Sequence, residues 1–256
     1  MLKLPQCFHR GQLVQSLPAD GHYQNGILET MRCHNGRLPL WPLHRRRLAR
    51  STLPAGLTLD EIEKHLFRLV AELRHREAIV RLRLGRVSGS DCWDLTFLPL
   101  IQSSESELGV HLFPCETYLP VSKSWNSGCK LLHRSRYNRA KSELPEGEHL
   151  DGLMLDSEGR VIESLRCNLL ARFGDAWVTP SLQRCGVRGV MLDWLHGRIQ
   201  WQERDMDIRA LCGADELALC NSVRGIMPVI EIIGHKSWPI GAGVQGLQHL
   251  IVESLW

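Results

Sequence analysis

The sequence predicts two mixed α/β domains built largely from antiparallel hairpins. Helical and strand-like segments alternate without the regular strand–helix cadence of a doubly wound parallel sheet. Turn signals such as Asn35-Gly36 and Asp156-Ser-Glu-Gly159 join neighbouring apolar runs. At about 100–200 residues per domain, the 256 residues fit two modest domains, and the most polar stretch, residues 101–108, marks the break. The expected division is an N-terminal α/β domain over 1–103, a linker over 104–108 and a C-terminal α/β domain over 109–256.

The elements follow in order. Ala19–Gly26 reads as a loop and Ile27–Arg32 as a strand, closed by the hairpin turn His34-Asn-Gly-Arg37, with Leu38–Trp41 returning as its partner. From Pro42 to about Leu53, Leu43, Arg47, Leu48 and Ser51 recur at helical spacing. Thr58 and Glu61 have the spacing of a capping box, and Ile62, Leu66, Leu69, Val70 and Leu73 share one face of the helix it starts. Ala78–Arg86 and Trp93–Pro99 read as paired strands. Beyond the break, strands are expected at Val110–Phe113, on both sides of the Asp156–Gly159 turn, at Leu169–Phe173 and Ala176–Thr179, at Glu216–Cys220 and at Met227–Ile233. Helices are expected through His133–Ser142 and after Gly189.

Composition narrows the function classes. A net charge of +3 is too weak for a nucleic-acid binder that works by neutralising phosphates. No apolar run approaches the roughly 18 residues of a membrane span. The N-terminus lacks the charged-then-apolar layout of a secretion signal. Nine cysteines, an odd number at irregular spacings with no CxxC pair, read as free thiols of a reducing cytoplasm rather than as zinc ligands. No histidine pair has a ligand spacing either, so no metal site is expected.

No GxGxxG, GxxxxGK[ST], HExxH or GxSxG motif is present. Chemistry is carried instead by separated segments: Leu28-Glu-Thr-Met-Arg32 followed by His44-Arg-Arg-Arg47-Leu48; Lys130-Leu-Leu-His-Arg134; Leu153-Met-Leu-Asp-Ser-Glu-Gly-Arg-Val-Ile-Glu163 with Asn168; and Thr179-Pro180, Gly186-Val-Arg-Gly-Val190 and Asn221-Ser-Val-Arg-Gly-Ile-Met-Pro-Val229. In this order and spacing, over about residues 26–235, they resemble the class IV aminotransferase family. Its members are two-domain fold-type IV enzymes, like D-amino-acid aminotransferase, that use pyridoxal 5′-phosphate.

The resemblance implies a role for each residue. The family's Schiff-base lysine stands about three residues before an Asn-Arg pair. Matching that pair to Asn138-Arg139 would put Ser135 in the slot; matching it to His133-Arg134 puts Lys130 there, with His133 in place of the usual asparagine. Lys130 precedes Glu163 by 33 residues, about the family's separation, so Lys130 is taken, in the C-terminal domain. Glu163 would keep the pyridine nitrogen protonated. Arg47 matches the phosphate-binding arginine, whose planar fork suits a phosphate. Gly189, Val190 and Met191 would present backbone N–H groups to the same phosphate, Ser222 a hydroxyl, and Asn168 completes the cofactor set. Taken alone, Lys130, Glu163 and Arg45–Arg46 would read as solvated surface groups, the Gly186–Met191 stretch as a loop entering a helix, and Ser222 as part of a strand-end turn.

Thr30 is the candidate for a polar contact near the reacting carbon. Arg224, where the family's lyases usually carry an apolar residue, either pairs with a substrate carboxylate or is merely exposed. Leu192 stands where transaminases commonly carry an arginine, and His22–Gly26 departs from the family's usual Arg-Gly…Gly-Asp-Gly approach. The form of Leu219–Val229 and Leu155–Gly159 is most like the family's 4-amino-4-deoxychorismate lyases, which release p-aminobenzoate and pyruvate in folate biosynthesis. The resemblance thus implies a cytoplasmic homodimer with the cofactor between two domains. A D-amino-acid or branched-chain aminotransferase, and a homologue without activity that serves as a binding protein, are the alternatives.

Overall fold

Alternating apolar side chains build an antiparallel sheet from the first hundred residues of the computed structural model, which describes residues 4–51, 53, 56–121 and 128–256. Its elements are β1 (Gln6–His9), β2 (Gln12–Val14), β3 (Gln24–His34), α1 (Trp41–Ala49), α2 (Leu59–Val70), β4 (Glu77–Val87) and β5 (Ser90–Pro99). The strands lie in the order β2-β1-β5-β4-β3. Asn35 and Gly36 both take positive φ (51° and 73°), the conformation of a tight hairpin turn. The expected return strand over Leu38–Trp41 does not form. Pro42 stands in the first turn of α1, where its fixed φ and missing N–H suit a helix start, so Trp41 opens a helix instead.

Thr58 caps α2, its side chain accepting from the Glu61 N–H at 3.4 Å. Ile62, Leu66, Leu69 and Val70 on α2, with Leu73 just beyond it, turn inward onto Phe8, Met31, Trp93, Leu95 and Phe97. Full burial of each such side chain contributes about 1.5–3 kcal/mol. Phe8 and Phe97 meet edge to face at 5.7 Å.

The chain divides into two compact units, residues 1–102 with 129–133, and residues 103–128 with 134–256. Two features differ from expectation. Part of the stretch read as linker is a helix, α3 (Glu105–Leu108). Lys130 belongs to the first unit rather than the C-terminal one. The Leu28 N–H donates to the Lys130 carbonyl at 2.9 Å and the Leu132 N–H to the Gly26 carbonyl at 2.7 Å, so residues 130–132 pair along the edge of β3.

The second unit continues with β6 (Val110–Pro114), α4 (Ser135–Lys141), β7 (Leu150–Leu155), β8 (Val161–Ser164), β9 (Asn168–Phe173), β10 (Ala176–Pro180), α5 (Val190–Leu195), β11 (Trp201–Arg204), α6 (Ile208–Leu211), β12 (Glu216–Asn221), β13 (Gly225–Ile232), β14 (Lys236–Ser237) and α7 (Ala242–Leu255). Its sheet runs β11-β10-β9-β12-β13-β6-β7-β8, with β14 against β13. The pairs β10–β11, β6–β13 and β6–β7 are parallel and the others antiparallel. Val110, Leu112, Leu153, Leu169, Leu217, Leu219, Met227 and Val229 fill its core. Glu216 pairs with Arg172 at 2.6 Å and accepts from the Gly243 and Val244 N–H groups, which places a carboxylate at the positive end of the α7 dipole.

Candidate active site

The expected site residues fall into two groups, one in each unit. In the first, β3 presents Glu29 and Thr30 on opposite faces, and Lys130 lies along its edge. Lys130 is half-buried, and its Nζ donates to Thr30 Oγ1 at 3.2 Å. Glu29 is fully buried. Its carboxylate accepts from His44 Nδ1 at 2.6 Å and from Arg47 Nε and Nη2 at 2.8 and 2.5 Å. Burial alone would raise the Glu29 carboxyl, but Arg47 and His44 outweigh it and hold it down at about 2.

Glu29 is therefore ionised, and His44 must be the donor in their bond. Burial pushes His44 down, against the pull of Glu29, so the ring is neutral with its proton on Nδ1. Two nitrogens of the Arg47 fork are committed to Glu29. Sequence reasoning passed over this support: Glu29 and Arg47 are 18 residues apart, on a strand and a helix, and no local periodicity links them.

In the second unit, Glu163 ends the inward face of β8 and is buried. Its Oε1 accepts from the Tyr137 hydroxyl at 2.5 Å, both oxygens lie 3.1 Å from the Val187 N–H, and Asn168 Nδ2 donates to Oε2 at 3.3 Å. Asn168 also donates to the Val187 carbonyl at 2.8 Å. Burial pushes the Tyr137 phenol well up, and the neighbouring Glu163 charge adds to it. The hydroxyl stays protonated and remains a donor. Tyr137, in α4 with Arg134 stacked 3.9 Å over its ring, was not anticipated, since its spacing from Glu163 carries no pattern.

The 186–189 loop fits closely over this carboxylate. Gly186 has φ +89°, and a Cβ there would meet Ile162 at 2.7 Å; a Cβ on Gly189 would overlap the Asn168 side-chain oxygen. Gly189 leads directly into α5, where Val190, Met191 and Leu192 are buried. Ser222 and Arg224 occupy the β12–β13 turn and are half-buried. There the Asn221 side chain accepts from the Val223 and Arg224 N–H groups at 2.9 and 2.7 Å. The structure thus joins Lys130 with Thr30, Arg47 with Glu29, and Glu163 with Asn168.

A buried carboxylate is suited to hold a ring N–H, and a lysine with a hydroxyl neighbour is suited to proton transfer at carbon. Each group taken by itself is of a kind that pyridoxal 5′-phosphate chemistry uses.

The family model for amino-transferase class IV matches residues 26–232. Aminodeoxychorismate lyase from Vibrio harveyi is 27% identical over 247 residues, covering 88% of this chain and 91% of the relative. Among solved structures, 4-amino-4-deoxychorismate lyase from Pseudomonas aeruginosa superimposes with a TM-score of 0.83 at 29% identity, covering 97% of this chain and 99% of that one. A branched-chain amino acid aminotransferase from Escherichia coli shares the fold, with a TM-score of 0.80 at 17% identity over 98% and 94% of the two chains. The chain belongs to the class IV aminotransferase family. Its fold is the mixed α/β architecture of the fold-type IV enzymes, a family of pyridoxal-phosphate-dependent catalysts acting on small molecules. No helix among the described residues is long and apolar enough to cross a membrane.

Proposed function

We propose that the chain is a pyridoxal-phosphate-dependent lyase that splits 4-amino-4-deoxychorismate into p-aminobenzoate and pyruvate. The observation that carries this reading is the Lys130 Nζ–Thr30 Oγ1 pair at 3.2 Å, an amine whose proton has a hydroxyl acceptor beside it. Two relatives that bear the lyase name, at 27% and 29% identity, support the choice of substrate. Leu192 supports it too: this fully buried apolar side chain offers no cation for the carboxylate of a keto acid.

When bound, the cofactor supplies an electron sink at the carbon that carries the amine. Lys130 takes the proton from that carbon. The neighbouring C–O bond breaks and its electron pair leaves with the three-carbon unit. Lys130 returns a proton to that unit, which departs as pyruvate, while the ring becomes aromatic. Thr30 orients the amine between the two transfers. Glu163, fixed by Tyr137, Asn168 and the Val187 N–H, holds the proton on the pyridine nitrogen. Arg47, Ser222 and the backbone N–H groups of Gly189, Val190 and Met191 bind the phosphate, and Arg224 takes a substrate carboxylate. The same reading implies a cytoplasmic homodimer in folate biosynthesis.

The test is p-aminobenzoate release from enzymatically generated aminodeoxychorismate by wild type and Lys130→Ala. Release by the wild type alone is expected. Release by both would remove Lys130 from its role. Turnover of an amino donor without p-aminobenzoate would favour transamination, and a protein that takes up no cofactor and turns over neither substrate would be the inactive homologue.

A further inference from the structure

Outside these residues, the first unit assembles a second set of reactive side chains on the β1–β5 pair. His9 lies directly across from Asp94 in the strand register. Cys92 stands two residues before Asp94, and thus on the same face of β5. Asp94 and Cys92 are buried, while the His9 side chain is 45% exposed. One nitrogen of His9, one carboxylate oxygen of Asp94 and the Cys92 sulfur all lie within 4.8 Å of one another. His9 Nδ1 is 2.8 Å from Asp94 Oδ1 and 3.8 Å from Cys92 Sγ, and Sγ is 3.6 Å from Asp94 Oδ2.

The three side chains are close enough to converge on one tetrahedral zinc ion. Zinc bonds of about 2.3 Å to sulfur and about 2.0–2.1 Å to nitrogen and oxygen imply S···N and S···O edges of about 3.5–3.6 Å and an N···O edge of about 3.3 Å. The S···N separation of 3.8 Å is within a few tenths of an ångström of that edge. Asp94 meets nitrogen through Oδ1 and sulfur through Oδ2, so ligation through Oδ1 requires His9 and Asp94 to part by about 0.5 Å. The half-exposed His9 can give that much.

A nucleophilic thiol is the competing use of the same residues, and the geometry disfavours it. In a relay, one imidazole nitrogen holds the carboxylate while the other faces the sulfur. Here Nδ1 faces both, as ligands around one centre do. Burial raises the Cys92 thiol, and Arg83 and Arg10 only partly offset it, so the sulfur is no ready nucleophile until a metal displaces its proton. Arg83 Nη2 pairs with Asp94 Oδ2 at 3.5 Å while its Nη1 is bound to Asp20 at 2.7 Å and to the Pro18 carbonyl at 2.9 Å, which leaves Oδ1, on the His9 side, for a metal.

We propose that His9, Cys92 and Asp94 bind one zinc ion, with water in the fourth position on the side of His9. On binding, the Cys92 proton passes to solvent and the metal ties β1 to β5. Mixed N, S and O donors suit zinc among the common divalent ions.

The test is equilibrium dialysis of the intact protein against buffered zinc chloride, with metal content measured for wild type, His9→Ala and Cys92→Ser. Wild type should hold one zinc per chain, and each variant should bind at least tenfold more weakly. Zinc absorption-edge spectroscopy on the wild type should find a single sulfur neighbour, a readout that needs no variant to fold. No zinc on the wild type, undiminished binding by both variants, or two or more sulfur neighbours would overturn the assignment.

Discussion

Replacing Glu29 by glutamine isolates one buried carboxylate held by Arg47 and His44. Its carboxyl is held at about 2, against an ordinary value of 4.5, with Arg47 and His44 overcoming the opposing effect of burial. At about 1.4 kcal/mol per pH unit, that depression is worth ~3 kcal/mol to the folded state. The pKa is lowered on folding, so the stabilisation is complete above about pH 4.5 and fades as pH falls toward 2. By pH 3, ~2 kcal/mol of it is gone. At pH 7, Glu29→Gln removes the buried carboxylate charge that faces Arg47 and should cost about 3–5 kcal/mol. Urea unfolding followed by tryptophan fluorescence at pH 7, 4.5 and 3 reads this directly. The gap between wild type and variant should hold from pH 7 to 4.5 and then narrow by ~2 kcal/mol at pH 3. Burial lowers His44 and Glu29 raises it, so losing Glu29 would lower it further and cost the variant more below about 6.5; both proteins are therefore compared in a His44→Gln background. A gap that stays constant down to pH 3 would refute the ionised, Arg47-paired state of Glu29.

Two further outcomes follow from the same geometry. Tyr137→Phe removes a buried hydroxyl that donates to a charged carboxylate at 2.5 Å; it should cost about 1.5–3 kcal/mol, read as a fall of several degrees in melting temperature, and an unchanged melt would mean that Glu163 does not depend on that bond. Gly189→Ala should weaken both folding and cofactor uptake, because its Cβ would overlap Asn168, whereas Gly246→Ala in α7 meets nothing within 4 Å and should stabilise by about 0.5–1 kcal/mol; calorimetry of the two variants tests them, and equal effects would contradict the packing described.

What could be read from the sequence was what local chemistry determines. The Thr58 cap, the inward face of α2, the β4–β5 hairpin and the Asn35-Gly36 turn each depend on residues a few positions apart. The parallel pairs β6–β7, β6–β13 and β10–β11 could not be read this way, because parallel neighbours are joined by long connections that leave no turn signal. The short strands β1 and β2 fall below the length at which alternation is visible, and α7 carries no such signal although it spans 14 residues. At the site, the motif residues around Glu29, Arg47, Glu163 and Asn168 were legible as a spaced pattern. Their partners were not: Tyr137 meets Glu163, and His9 meets Cys92, only through tertiary contacts. Residue 38 to 41 was the clearest misreading, where a turn signal was followed one step too far and the helix-starting effect of Pro42 was overlooked.

The pairing of residues 130–132 with β3 has a consequence for how the protein is made. β3 closes the first sheet on one side, and an uncovered strand edge is a template for pairing with another chain. The ribosome releases all five strands of that sheet before it reaches the segment that covers this edge. An unfinished chain therefore lacks the lysine and exposes a sticky margin at the same time. The segment that brings the reactive amine also seals the first sheet, so the nascent chain gains its lysine and loses that open margin within the same few residues.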